Sequence, residues 1–246
     1  MKNQGQFIAF LCSLLLFSGF GFGQQSMPAI GSTWNGGGGG GTNTFTLVQA
    51  PTTIACATPS CTITINGSGH LVDIQYAQIN LGSAQYITSV SGQCSSWLIP
   101  SSSQTFSATN GSLNHAYCLS TSGSGTATIS VPTTGHVKFF EYSYTPGPFE
   151  LDNVCVANTN GTSSTSQNGQ TLTLTGTKDV VIQAWNSGGA HATAAASPFS
   201  TNFDGGGGIS DLGTADNENT SSGTPPSPLW TLNTAATGMT SACAFK

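Results

Sequence analysis

The chain of 246 residues contains nine acidic and only four basic residues, and its formal net charge is −5. So few cations cannot form a surface that neutralises phosphates, which argues against nucleic acid and anionic membranes as partners. Only 5% of the residues are charged. Ser, Thr, Asn, Gln and Gly must therefore provide the water-facing surface, as they do in many secreted and surface proteins.

The N-terminus is typical of a signal peptide. Lys2 precedes the apolar run "FIAFLCSLLLFSGF" at 7–20, and Gly21 and Gly23 are small residues at the positions that a signal peptidase reads. We predict cleavage before Gln24 and hence a secreted or cell-surface protein. The apolar run is short and no basic residues follow it, so we expect no membrane span in the mature chain.

Composition divides the chain into three parts. Residues 1–23 are the predicted signal peptide, and 24–42, which end in the run "GGGGGG", are predicted to be a flexible lead. The glycine run satisfies a dinucleotide-binding pattern only formally, because no strand precedes it and no helix follows it. We expect 43–246 to form a single domain.

The cysteine count predicts disulfides. After loss of Cys12 with the signal peptide, six cysteines remain, an even number that is usual for disulfide-bonded exported chains. The turn in "CATPSC" predicts a local bridge, Cys56–Cys61. Cys94–Cys118 would then join neighbouring strands, and Cys155–Cys243 would connect the middle of the chain to its last strand.

Alternation of apolar and polar residues recurs along the chain and predicts strands. In chain order the clearest cases are "CTITIN", "LVDIQYAQI", "GTATISV", "QTLTLTG" and "KDVVIQAW", followed by "LWTLN" and "TSACAF" at the end. Clusters of turn-forming residues separate them, among them "NGSG", "SGSG" and "NTNGTSSTSQNG". This pattern predicts an all-β protein, a two-sheet antiparallel β-sandwich that is jelly-roll-like.

Several segments also carry a resemblance to a known group. In order these are "YITSVSG", "AYCL", "ATISV", "VKFFEYSYTPGPFELD", "SQNGQTLTLTGTKDVVIQAW" and "PLWTLNTAATGMTSACAFK". Over 44–246 the chain resembles the secreted Ser/Thr/Gly-rich β-sandwich proteins of environmental bacteria, whose function is uncharacterised. It departs from them at "SGQCSSW", where they have an Asp-Ser-Ala-Gly-Asn-like turn. The resemblance implies a jelly-roll-like fold and export, and no activity.

Three carboxylates lie close together in "FFEYSYTPGPFELD". Glu150 and Asp152 are similar to the first half of a motif in retaining jelly-roll glycosidases, which need a further Glu as acid/base. Val154 and Cys155 stand where that residue should be. We therefore assign no catalytic residue and interpret Glu150 and Asp152 as turn carboxylates. Glu141 lies on a predicted strand and, if buried, requires a hydroxyl, an amide or a histidine as partner.

Two binding hypotheses remain. Asp204, Asp211, Asp216 and Glu218 are candidate calcium ligands in the long acidic segment 203–228, although their spacing matches no EF-hand and an acidic loop is usually only solvated. No other cofactor is expected.

Aromatic side chains supply the second hypothesis. Trp34 and Trp97, in loop-like sequence, are candidate rings for stacking on a glycan. The predicted function is a non-catalytic binding or structural role outside the cell, with glycans or other surface proteins as partners, as in adhesion. A secreted glycoside hydrolase-like enzyme and a subunit of an extracellular fibre, assembled through strand edges, are the alternatives.

Overall fold

The computed structural model describes residues 44–79, 82–145, 147–202, 212–220, 223 and 227–246. The predicted signal peptide and glycine-rich lead, together with Trp34, Asp204 and Asp211, lie outside these residues. Residues Gly41–Lys246 form one compact unit. Among the described residues, no helix has the length and apolar character needed to cross a membrane.

The described residues form strands, with one 3-10 turn at Ser101–Ser103. The strands are β1 Thr44–Gln49, β2 Ile54–Cys56, β3 Ser60–Ile65, β4 Leu71–Gln78, β5 Ser89–Ser91, β6 Thr105–Ser107, β7 Gly111–Cys118, β8 Gly125–Ser130, β9 Gly135–Thr145, β10 Val156–Asn168, β11 Asp179–Asn186, β12 Ala192–Ala195, β13 Ser200–Asn202, β14 Gly213–Thr220 and β15 Leu229–Phe245.

Antiparallel pairing arranges these strands into three sheets. Sheet I has the order β1-β9-β4-β7-β6 with β2 also paired to β9, and sheet II has the order β10-β15-β11-β14-β13 with β12 also paired to β15. Sheet III is small and has the order β3-β8-β5. The predicted all-β antiparallel sandwich is confirmed. The third sheet was not predicted.

Sheet I is the middle layer. Ile74 and Phe139 of sheet I pack with Ile63 and Ile129 of sheet III in one apolar core. On its other face, Phe140 and Tyr142 join Ile182 and Phe245 of sheet II in a second core. Because both faces of sheet I are covered, all eight residues of β4 and of β7 are buried, polar ones included.

The three predicted disulfides are confirmed. The bridges are Cys56–Cys61, Cys94–Cys118 and Cys155–Cys243, with Cα–Cα distances of 5.0, 6.2 and 4.3 Å. In the last of these, Cys155 directly precedes β10, whose first residue Val156 pairs with Ala242 of β15. The last strand therefore lies beside the "DNVCVA" segment, as that pairing required.

Two strand assignments made from the sequence are wrong. "NTNGTSSTSQNG", predicted to be a turn, belongs largely to β10. "QTLTLTG", predicted to be a strand, contains only an isolated bridge, Leu174 to Gly223. Its leucines are nevertheless buried, because they cover the apolar outer face of sheet II beside Trp185 and Trp230. The alternating pattern therefore predicted correctly which side chains of this segment are buried, although the segment does not pair as a regular strand.

Candidate functional site: a polar groove along strand β10

Strand β10 forms one edge of sheet II in the described part of the chain, and most of it is exposed. Its 13 residues, "VANTNGTSSTSQN", contain no charged residue and only two apolar ones. The strand pairs with β15 on one side. An edge strand of this length usually carries lysine or proline to prevent further pairing, and β10 carries neither.

A bulge in the β10–β15 ladder shapes the surface. Asn160 pairs with Gly238 and Ser164 pairs with Ala236, so that residues 161–163 lie opposite Thr237 alone. Extra residues on one strand bend that strand away from its partner. A Cβ atom added to Gly161 would meet no heavy atom within 4 Å, which shows that the bulge borders open space.

Two adjoining cavities follow this bulge, with volumes of about 330 and 420 Å³. Both are lined by Thr159, Asn160 and Gly161, and together they form a groove along β10. The remaining lining residues carry hydroxyl or amide side chains except for one aromatic ring: Phe106, Ser107, Thr109, Asn110, Thr162, Ser164, Ser166, Gln167, Asn168 and Thr237. None of the described lining residues is ionisable, so the part of the groove that they form is electrically neutral.

Hydrogen bonds within the protein hold the walls of the groove. Gln167 Nε2 donates to the carbonyl oxygens of Thr162 and Ala236, at 2.8 and 2.7 Å. Asn160 Nδ2 donates to Asn168 O at 3.0 Å. The side-chain oxygens of Asn160 and Gln167 accept no hydrogen bond from the described residues. Each amide is therefore fixed in orientation and still has an acceptor for a ligand.

The end of the groove near β6 is fixed in the same way. Asn110 Nδ2 donates to Thr237 Oγ1 at 3.0 Å, and the buried Asn186 Nδ2 donates to Asn110 O, also at 3.0 Å. These bonds connect the β6–β7 turn to sheet II. Side chains that are already ordered lose little entropy when a ligand binds, which favours affinity.

Sequence reasoning missed this groove because Asn, Gly, Ser and Thr in succession are typical of turns. Trp97, the described candidate for glycan stacking, lies elsewhere. It is half-buried, packs against the core between sheets I and III, and donates its indole N–H to Gly92 O at 2.9 Å. The structure does not bring Trp97 to the groove.

Two of the four candidate calcium ligands are described. Asp216 is buried in β14 and accepts a hydrogen bond from the hydroxyl of Tyr142, and burial raises its pKa. Glu218 is half-buried, and burial together with the negative charge of Asp216 raises its pKa. Burial is the larger cause for both carboxyls, and it disfavours their charged forms. Calcium binding stays a prediction.

The three clustered carboxylates belong to separate networks. Glu141 is buried and contacts Asn66, Gly67 and His70. Glu150 is exposed, whereas Asp152 accepts hydrogen bonds from Thr175 and lies 3.3 Å from Lys246 Nζ. Burial alone would raise the pKa of Asp152, but these bonds and the lysine charge lower it.

A cavity of about 330 Å³ beside Glu150 is the main alternative to the groove as a candidate ligand site. Its lining includes Lys178 and Lys246 as well as Glu150, so charges of both signs surround it. Lys246 is already paired with Asp152. This cavity therefore has no single charge that would select a ligand.

A buried polar cluster between sheets I and II was not foreseen either. His115 Nδ1 lies 2.9 Å from Asp73 Oδ1, and Gln75 Nε2 also donates to Asp73. The ligand atoms of Asp73, His115 and Cys243 lie within 4.8 Å of one another, as in a metal site. Cys243 is bonded to Cys155, however, and has no thiolate to offer. The cluster is fully buried, and His115 Nε2 and Gln75 Oε1 have no hydrogen-bond partner among the described residues.

Asp179, at the start of β11, should make stability depend on pH. It is fully buried, neither carboxylate oxygen has a hydrogen-bond partner among the described residues, and burial raises its pKa to about 7. The negative charge of Asp152 acts in the same direction and the charge of Lys246 against it. Between about pH 4 and pH 7, the folded state therefore binds a proton that the unfolded state does not.

We expect the free energy of unfolding to fall as the pH rises through this window, by at most about 1.4 kcal/mol per pH unit from this residue. Asp179→Asn removes the titrating group and should flatten the curve, with its largest gain relative to wild type above pH 7. Urea unfolding at several pH values from 4 to 8 measures the difference. Parallel curves for the two proteins would show that Asp179 is not responsible.

Together the fold and the groove define a disulfide-bonded, three-layered β-sandwich with a neutral, hydroxyl- and amide-lined groove at one sheet edge. Comparison of the chain with protein-family models, curated proteins and solved structures found no match.

Proposed function

We propose that the protein is exported and acts outside the cell as a non-catalytic binding protein, whose ligand is a neutral carbohydrate held in the groove along β10. The observation that carries this proposal is the lining of the groove, whose described residues offer amides and hydroxyls and no ionisable group. Sugar hydroxyls both donate and accept hydrogen bonds, as do these side chains. Phe106 adds one ring against which the apolar face of a sugar can pack.

Export is supported by the N-terminal sequence and by the disulfides. Three disulfides persist only in an oxidising compartment such as the cell exterior. A charged ligand is disfavoured, because desolvating its charge inside an uncharged groove would leave that charge without a partner.

Filling the groove should abolish binding. Gly161→Trp places a large ring in the open space beside the bulge, at a backbone conformation that does not require glycine. Gly123→Trp is the matched control, since a Cβ there meets only the Gln93 side chain, at 4.0 Å, and Gly123 lies outside the groove. We expect a glycan array to identify a neutral glycan whose Kd rises at least about tenfold in Gly161→Trp.

The control should retain wild-type affinity. Wild-type protein that binds no neutral glycan on the array would contradict the proposal. Equal affinity of wild type and Gly161→Trp for the identified glycan would place its site elsewhere.

The fibre alternative also has a specific observation in its favour, namely that β10 is a long uncharged edge. A strand from a second copy could pair with the side of β10 that no described strand occupies. Sedimentation that shows concentration-dependent assembly of wild type, without glycan binding, would favour this alternative. The hydrolase alternative gains no such support, because Glu150 is exposed and Asp152 is engaged by Thr175 and Lys246.

A further inference from the structure

A buried cluster of metal-binding side chains lies where sheets I and II pack against each other. Asp73 on β4 and His115 on β7 belong to sheet I, and Cys243 on β15 belongs to sheet II. One ligand atom of each lies within 4.8 Å of the other two, and all three residues are fully buried. Cys155, the disulfide partner of Cys243, brings a second buried sulfur to the same place.

His115 is oriented as metal-binding histidines are. Its Nδ1 lies 2.9 Å from Asp73 Oδ1 and 3.2 Å from Oδ2, so that the Nδ1–H donates to the carboxylate and Nε2 carries the lone pair. A carboxylate behind a histidine fixes its tautomer and makes it a more basic ligand. Nε2 has no hydrogen-bond partner among the described residues. A buried lone pair without a partner is costly, and a bound cation would satisfy it.

The state of the bridge Cys155–Cys243 decides whether the two sulfur atoms can act as ligands. A thiolate binds a metal ion, and a sulfur in a disulfide does not. The chain is synthesised with free thiols, and its bridges form only in an oxidising compartment. Cys155 follows Val154, which is 61% exposed, so that local opening of this segment gives an ion or an oxidant access to the sulfurs.

The ligand types in this cluster favour zinc. Two thiolates and an imidazole nitrogen are a common zinc donor set, whereas calcium and magnesium prefer oxygen ligands. The charge of Zn²⁺ also balances the charges of the two thiolates. Binding therefore adds no net charge to the interface, which limits the cost of burying the ion.

We propose that the dithiol form of the protein binds one Zn²⁺ between sheets I and II, through Cys155, Cys243 and His115, with Asp73 orienting His115. Binding displaces the two thiol protons into solvent. On oxidation, an external disulfide takes two electrons from the bound thiolates and two protons from solvent and becomes two thiols. The Cys155–Cys243 bridge then forms and the ion leaves. The proposal is independent of carbohydrate binding, because the groove lies elsewhere on sheet II.

Cobalt(II) provides a spectroscopic test, because tetrahedral cobalt with thiolate ligands absorbs visible light. Purified mature protein is reduced with a phosphine, which supplies no thiol of its own, and is titrated with Co²⁺ in the absence of oxygen. We expect ligand-field and sulfur-to-cobalt charge-transfer bands that saturate at one equivalent and disappear when Zn²⁺ is added. The oxidised protein should show neither band, since its sulfurs are bridged.

His115→Asn tests the nitrogen ligand, because asparagine can still donate to Asp73 but lacks Nε2. Cobalt affinity should fall at least about tenfold, since loss even of a residue that only orients a metal ligand costs that much. His191→Asn is the matched control, as His191 is a half-buried histidine outside the cluster, and it should bind as wild type does. The double variant Cys155→Ala, Cys243→Ala should show no bands, although its other two bridges are reduced as well.

Circular dichroism covers the case in which reduction unfolds the protein. Zn²⁺ should then restore the β-sheet spectrum of wild type and fail to restore that of His115→Asn. Reduced wild type without thiolate–cobalt bands would overturn the proposal. Equal cobalt affinity of wild type and His115→Asn, or undiminished bands in the double cysteine variant, would overturn it too.

Discussion

Replacement of both Cys155 and Cys243 by alanine is expected to lower the free energy of unfolding by about 4 to 5 kcal/mol. The two cysteines are 88 residues apart, and a bridge over so long a segment removes much of the conformational freedom of the unfolded chain. Both residues are also fully buried in the core between sheets I and II, where alanine leaves a small void. Guanidinium unfolding without reductant measures the loss.

The local bridge provides the matched control. Cys56 and Cys61 are only five residues apart, and the same chain-entropy argument gives about 2 kcal/mol for their replacement by alanine. Equal losses in the two double variants would show that loop length does not govern the stabilisation.

Glu141→Gln should be among the most destabilising single substitutions, with an expected loss of about 2 to 4 kcal/mol. The carboxylate is fully buried and accepts hydrogen bonds from the backbone N–H groups of Asn66 and Gly67, at 2.9 and 3.1 Å. Its Oε1 also lies 2.7 Å from His70 Nδ1. All three partners reach Oε1, and the Asn66 N–H also lies 3.1 Å from Oε2, where the NH₂ group of glutamine would face it. The remaining amide oxygen is neutral and accepts these hydrogen bonds more weakly than a carboxylate does.

Glu150→Gln is the control for this variant. Glu150 is exposed, and within the described part of the chain only its backbone N–H and carbonyl oxygen are engaged, both with Lys246. We expect a change within about 0.5 kcal/mol. Urea unfolding at one pH decides the comparison, and a loss in Glu141→Gln as small as in the control would mean that the buried network contributes little.

Glu141 shows what can be predicted from the sequence about a buried carboxylate. Alternation placed it on a strand face with Val137 and Phe139, and burial of a carboxylate then required an amide, a hydroxyl or a histidine. The structure supplies amides and a histidine. Their identity could not be predicted, because Asn66 and His70 are more than 70 residues away and reach Glu141 only when β3, β4 and β9 come together.

The groove and the outer face of sheet III show the opposite case. The run "NTNGTSSTSQNG" has the composition of a turn, and its conversion into a bulged strand depends on pairing with β15, which lies some 70 residues further on. Similarly, "CTITIN" and "GTATISV" each predict a strand with threonines on one face. Only the pairing of β3 with β8 in a third sheet puts Thr62 beside Thr128.

The local and compositional properties of this protein follow from its amino-acid sequence alone. These are its all-β class, the inward or outward direction of alternating side chains, the presence of disulfides and the local bridge Cys56–Cys61, because each follows from neighbouring residues or from an even number of cysteines. The number of sheets, the pairing of the four other bonded cysteines, the partners of the buried acids and the location of the groove are set when the chain folds. Those depend on contacts between segments far apart in the chain, which alternation cannot specify, since any apolar strand face can pack against any other.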